Sequence, residues 1–235
     1  MSNLARSFLN GCLHIGRRLL PQTCMLCSSA SGGALLCAAC AGDLPRLPAS
    51  RCASCALPIP HGAVCGACLK HPPRYDSVSA VFAYAFPVDA LVQAFKYDGN
   101  LALGAFFGEA LAHALTEHAD CIVPMPLAPQ RVRERGFNQS LEIARHTSRL
   151  TGIPLLAAAC RKVVETRPQA ELPWKERAKN VRGAFVCDAD LDGKKVAVID
   201  DVMTTGATLD ELAKNLRLAG AARISGWIVA RTLPR

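Results

Sequence analysis

From Asp76 onward, short apolar runs alternate with stretches in which apolar residues recur every three or four positions. Val78–Ala85 reads as a strand, Val88–Tyr97 and Leu101–His118 as helices, and Cys121–Val123 as a short strand. Phe137–Leu150 has helical spacing, Leu155–Cys160 is strand-like, and Val196–Ile199 is a buried-strand run. Leu209, Leu212, Ala213 and Leu216 mark one helix face, and Ile224–Ala230 is a last strand. Short, wholly apolar runs suit strands covered on both faces, and helical spacing suits the elements that cover them. The expected fold class over residues 76–235 is therefore α/β, with a doubly wound, mainly parallel sheet. In such sheets ligands sit beyond the carboxyl ends of the strands. Val163–Arg182 breaks the pattern, being polar, interrupted by Pro168 and Pro173, and without long periodicity.

Residues 1–75 lack this alternation. Leu4, Phe8, Cys12, Ile15 and Leu19 lie opposite Arg6, Arg17 and Arg18, which predicts an amphipathic helix over residues 1–20. Such a stripe more often packs on its own protein than on a membrane. Next come four C-x-x-C pairs: Cys24/Cys27, Cys37/Cys40, Cys52/Cys55 and Cys65/Cys68. Each cysteine of the first two pairs recurs 28 positions later, the mark of an internal duplication. A C-x-x-C redox site occurs singly, and disulfides need an oxidising compartment. Asn10, His14, Arg17 and Arg18 interrupt any secretory core, so a cytoplasmic protein is expected. Zinc remains: four thiolates per ion replace a core too small to stand alone. Two structural zinc ions are expected within a module spanning residues 21–72. The ligands are either Cys24, Cys27, Cys37, Cys40 and Cys52, Cys55, Cys65, Cys68 as local sets, or cross-braced with the first knuckle sharing an ion with the third. Cys121, Cys160, Cys187 and Cys12 sit among apolar neighbours and read as small core hydrophobes.

Composition narrows this further. With 235 residues, 51% hydrophobic and 20% charged, the chain is no disordered polypeptide. No apolar run is long enough to span a membrane. Of the net +8, most lies in residues 1–75, which hold seven Lys/Arg and one acid. That surplus suits contact with phosphates of single-stranded DNA. However, residues 24–68 contain no Trp, Tyr or Phe on which bases could stack.

The most informative segment is Val198-Ile199-Asp200-Asp201-Val202-Met203-Thr204-Thr205-Gly206-Ala207-Thr208. An apolar strand ends in two carboxylates, then turns through hydroxyls and a glycine into a helix. Thr204, Thr205, Gly206, Ala207 and Thr208 can wrap a phosphate with inward N–H groups at a helix start. Asp200 and Asp201 are suited to ribose hydroxyls or hydrated Mg²⁺. Thr208 and Glu211 also have capping-box spacing, which would assign Thr208 to the helix.

Val198–Thr208 resembles the phosphoribosyl-pyrophosphate signature of the type I phosphoribosyltransferases. Cysteine knuckles followed by this segment resemble the ComF family, linked to natural competence and the use of external DNA. Further matches are Lys96-Tyr97-x-Gly99, Pro124-x-Pro126, Arg131-x-Arg133-x-Arg135-Gly136-Phe137-Asn138-Gln139, Gln169-x-x-Leu172, Arg177-x-x-Asn180 and Gly183-Ala184-Phe185. The resemblance implies a sheet of the type I phosphoribosyltransferase kind behind a small zinc-ribbon module. It also implies phosphoribosyl pyrophosphate and Mg²⁺ as ligands, and DNA-uptake proteins as partners.

On that resemblance Asp200 and Asp201 are the catalytic carboxylates. Pyrophosphate would lie at Pro124, Met125 and Pro126 with Arg131, Arg133 and Arg135 nearby. The arginines alternatively form a solvated basic face or touch nucleic acid. Val163–Arg182 falls where the family carries a lid, with Gln169, Arg177 and Asn180 as ligand contacts and Trp174 as an anchor. Three functions follow. One is a Mg²⁺-dependent phosphoribosyltransferase whose acceptor is a base, nucleotide or nucleic-acid end. The others are a non-catalytic sensor of the same ligand and a single-stranded-DNA-binding adaptor.

Overall fold

The computed structural model describes residues 23–164 and 181–234. The amphipathic helix expected over residues 1–20 and the lid residues Gln169, Trp174, Arg177 and Asn180 lie outside the described residues. The chain divides into two compact units, one up to Leu44 and one from Pro45.

The cysteine duplication is a duplication of backbone as well. Thr23 bridges Ala30, and Arg51 bridges Pro58. Cys24 N donates to Ser29 O at 2.7 Å, and Cys52 N to Leu57 O at 2.8 Å. Ser28 and Ala56, each directly after a knuckle, take φ of 60° and 58°. A one-turn helix starts after the third cysteine of each set, α1 (Ala38–Gly42) and α2 (Gly66–Lys70). The first copy falls in the first unit, and the second folds with the body.

The body is built on four parallel strands: β1 (Ser77–Ala83), β2 (Cys121–Pro124), β5 (Lys195–Met203) and β6 (Arg223–Arg231). Their order is β1-β6-β5-β2, with Val78 opposite Gly226, Val198 opposite Gly226, and Val123 opposite Val198. β6 is buried from Ile224 to Arg231, as a central strand covered on both faces should be. β3 (Cys160–Lys162) and β4 (Phe185–Cys187) form a separate antiparallel ribbon.

Helices cover both faces, which makes the sheet doubly wound. On one side lie α4 (Ala102–Ala114) and α6 (Gln139–Thr151), packed on each other and on the strands, with α3 (Val88–Tyr97) against α4. The α4–α6 approach is close at Gly108, where a Cβ would stand 2.6 Å from His146 Cβ. Thr147 Oγ1 donates across it to Gly108 O at 3.2 Å. Phe95 of α3 meets Phe107 and Phe137 with centroids 6.0 and 5.4 Å apart. On the other side Leu209, Leu212 and Leu216 of α7 (Ala207–Leu218) join Val78, Val198, Ile224 and Phe185 in one cluster. Cys52, Cys55, Ala56, Ile59 and Tyr75 belong to that same cluster, so the second cysteine set is part of this core.

Several expected boundaries move. The Leu101–His118 helix ends at Ala114. Leu155 contributes only a bridge to Ile122, because Cys160 is drawn into the ribbon with Cys187. β5 does not stop at Ile199 but runs through both acids to Met203, since its ladder with β6 continues to Arg231. A seven-residue helix, α5 (Pro129–Arg135), had no apolar stripe to announce it. Its signals are Pro129 at the start and Gly136, at φ 81°, just past the end. Cys121 and Cys160 are buried, as small hydrophobes, and Cys187 is half-buried. Among the described residues no helix is long and apolar enough to cross a membrane.

Candidate functional site

The site forms at the carboxyl ends of β5 and β2. Asp200 lies opposite Ile228 and is held inside the ladder. Its Oδ1 accepts from Ser140 Oγ at 2.9 Å and from Asp201 N at 3.0 Å. Ser140 is placed by a cap: Asn138 Oδ1 accepts from Ser140 N at 3.0 Å, starting α6 beside the acid. Asp201 is 7% exposed, and its Oδ2 lies 2.7 Å from Lys96 Nζ at the end of α3. These groups open into a cleft of about 600 Å³ that also receives Arg135, Lys162, Thr204, Gly206 and Thr208.

Charge in this cleft is balanced against burial. Burial, and then the neighbouring Asp201 charge, push the Asp200 carboxyl up to about 7, opposed by Lys96 and the Ser140 hydroxyl. Burial works against the Lys96 charge, but Asp201 and then Asp200 outweigh it and raise its pKa. Lys162 is lowered by burial, with Asp200 pulling the other way and Arg131 adding to the drop. Two carboxylates thus face three cationic side chains, a set that can take a polyanion.

After Met203 the chain turns into α7 through Gly206, at φ +85°. A Cβ there would meet Met203 Cε at 2.7 Å and Tyr75 Oη at 2.8 Å, so both dihedral and space demand glycine. Thr205 Oγ1 accepts from Ala207 N at 3.1 Å. The capping box does not form, because Glu211 Oε1 accepts from Gly183 N at 2.9 Å instead. Thr204, Gly206 and Thr208 line the cleft, while Thr205 and Ala207 shape the turn behind it.

Of the residues expected around pyrophosphate, Met125, Pro126 and Arg135 line the cleft, and Pro124 ends β2. Met125 is pinned on both sides: its N donates to Ile199 O at 2.8 Å and its O accepts from Asn138 Nδ2 at 3.0 Å. The cis peptide bond among the described residues lies elsewhere, at Phe86–Pro87. Arg131 pairs with Glu134 at 2.8 Å and lines an adjoining cleft of about 310 Å³ with Lys96 and Arg135. Arg133 is exposed and lines neither. Lys162, Ser140 and Gln139 were not singled out as site residues. Gln139 is 3% exposed, and its Nε2 has no hydrogen-bond partner among the described residues.

The cysteines resolve into the local partition. Within Cys24, Cys27, Cys37, Cys40 and within Cys52, Cys55, Cys65, Cys68 all Sγ atoms lie within 4.8 Å of one another. Cys27–Cys37 and Cys55–Cys65 sulfurs are each 3.7 Å apart. A tetrahedral zinc with Zn–S near 2.3 Å spaces its sulfurs by about 3.8 Å, so both sets fit. The neighbouring Cys27 and Cys37 side chains push Cys40 up, while backbone N–H groups of Cys27 and Cys37 bring the Cys24 thiol down to about 6. Burial opposes the same change at Cys52, but N–H groups of Cys65 and Cys55 still lower it to about 7. Four thiolates leave no open position, so these sites are structural.

Comparison with known proteins agrees with this arrangement. A double zinc ribbon domain model matches residues 15–69. Competence protein F of Haemophilus influenzae is 32% identical over 208 residues, covering 83% of this chain and 90% of that protein. DNA utilization protein YhgH of Escherichia coli is 31% identical over 225 residues, covering 91% and 99%. Among solved structures, the glutamine phosphoribosylpyrophosphate amidotransferase from B. subtilis aligns at 24% identity over 53% of this chain and 25% of that one, with a TM-score of 0.38. A double zinc ribbon ahead of a parallel α/β body, with identity to competence protein F and YhgH along most of its length, makes this chain a member of the ComF family.

Proposed function

We propose that the cleft binds phosphoribosyl pyrophosphate together with Mg²⁺, and that the protein is a phosphoribosyltransferase acting in the uptake or use of external DNA. The observation that carries this reading is the juxtaposition of Asp200 and Asp201 with Lys96, Lys162 and Arg135 beside the Thr204–Thr208 turn. A 5′-phosphate fits the turn, where N–H groups and the start of α7 favour an anion. Asp200 and Asp201 then receive the ribose hydroxyls, and Lys96, Lys162 and Arg135 the pyrophosphate.

The donor set suits Mg²⁺, which prefers oxygen ligands and keeps most of its waters, so one or two carboxylates suffice. When bound, held through its waters by Asp200 and Asp201, it would neutralise phosphate charge. Asp200, pushed up to about 7 beside Ser140, is able to hold or release a proton near neutral pH. The acceptor is a base, nucleotide or nucleic-acid end, and the relatives named for competence and DNA utilization favour a DNA-derived one. Single-stranded DNA and DNA-uptake proteins are the partners this reading expects.

Calorimetric titration of phosphoribosyl pyrophosphate with and without Mg²⁺ tests it. Binding that requires Mg²⁺ and is lost in Asp201→Asn is expected; no binding by the wild type overturns it. Binding without pyrophosphate release, across bases, nucleotides and single-stranded DNA, would reduce the protein to a sensor.

A further inference from the structure

Arg231, near the end of β6, is 2% exposed, and no carboxylate pairs with it among the described residues. Burying an unpaired guanidinium is costly unless its donors are all met. Here backbone carbonyls meet those of Nε and Nη1. Nε donates to Cys55 O at 2.8 Å, and Nη1 to Met203 O at 2.9 Å, to Thr232 O at 3.0 Å and to Thr204 O. One side chain therefore ties the knuckle of the second cysteine set to the two residues that open the Thr204–Thr208 turn. In a trans peptide the N–H points opposite to the C=O. With the carbonyls of Met203 and Thr204 held towards Arg231, the N–H groups of Thr204 and Thr205 face away from it. A second support comes from Tyr75, 5% exposed, whose hydroxyl stands where a Gly206 Cβ would approach to 2.8 Å. Tyr75 shares its hydrophobic cluster with Cys52 and Cys55.

We infer that the second cysteine set is a working part of the ligand turn: metal at Cys52, Cys55, Cys65 and Cys68 fixes the Cys55 carbonyl, and Arg231 is the positioning residue that relays this to Met203 and Thr204. The inference rests on reading Thr204–Thr208 as the phosphate-binding turn. Zinc loss at this set would then loosen the turn while leaving the strands behind it intact.

Hydrogen exchange on the full chain, read by mass spectrometry together with zinc content, tests this without any ligand. In Cys68→Ser, zinc should fall from two ions to one, and exchange in peptides covering 203–208 should rise tenfold or more. Peptides covering β2 should stay within twofold, since β2 pairs with β5 and, among the described residues, makes no backbone bond to the cysteine set. Arg231→Met should reproduce the loosened turn with both zinc ions retained, and Arg231→Lys should recover part of the protection. An unchanged turn in Cys68→Ser after loss of one zinc overturns the inference. So does loosening of β2 equal to that of the turn, which would mean general unfolding. If the turn loosens as expected but the wild type binds no phosphoribosyl pyrophosphate, the proposed function fails and the coupling stands.

Discussion

Lys96 Nζ and Asp201 Oδ2 stand 2.7 Å apart at the edge of the cleft, with Asp200 next along the strand. The site thus holds its own counter-ion before any ligand enters. Removing one partner from such a pair leaves the other charge stranded. Lys96→Met should lower stability by about 3 kcal/mol at pH 8 and by clearly less at pH 5, where Asp200, pushed up to about 7, is protonated. Adding Asp201→Asn to Lys96→Met should return most of the loss. Thermal unfolding at both pH values checks this, and a pH-independent loss would contradict it.

Asp200 predicts a second pH effect. Its pKa rises from 3.8 to about 7 on folding, so the folded state binds a proton more readily than the unfolded chain. That contribution is complete below the lower value and is lost as pH climbs through the upper one. The metal-free protein should therefore lose roughly 2 kcal/mol between pH 5 and 8 from this group. Asp200→Asn should flatten the slope in denaturant titrations; an unaltered slope would refute the assignment.

Gly206→Ala should cost about 1–3 kcal/mol, from the left-handed backbone and the encounter with Tyr75 Oη. Gly183→Ala has a similar φ of +68° but open space around it, and should cost less. Comparing the two by chemical denaturation separates steric conflict from backbone strain.

Gln139 leads to a less intuitive expectation. A buried donor without a partner already bears its desolvation cost, so Gln139→Leu should leave stability unchanged or raise it by up to about 1 kcal/mol. A loss above that range would mean the amide is satisfied within the fold.

Metal removal should discriminate between the sites. Cys27 is exposed, whereas Cys52 and Cys55 are buried. Under a zinc chelator, release should follow two phases, with the faster one absent in Cys27→Ser. Single-phase release of both ions would argue against this order.

The acids and the Thr-Thr-Gly turn were legible because they are contiguous: strand, carboxylates, turn and helix follow in eleven residues. The metal sets were legible from spacing, and only their partition needed coordinates. The cationic half of the cleft was harder. Lys96 lies in the last turn of α3 and Lys162 ends β3, and long, polar residues near element ends look solvated in any pattern. Ser140 is a capped second residue of α6, and nothing local says that its hydroxyl meets Asp200. Among the three arginines of α5, helical rotation selects Arg135 for the cleft and turns Arg133 to solvent, which required knowing that the segment is a helix. The reach of β5 to Met203 was missed because carboxylates end an apolar run without ending a hydrogen-bond ladder.

That reach has a consequence for binding. Asp200 and Asp201 sit on backbone already ordered by pairing with β6, so no loop has to settle before they can meet a ligand. The conformational entropy of these two positions is given up once, when the sheet assembles, and association can draw its full enthalpy from contacts made to a waiting surface.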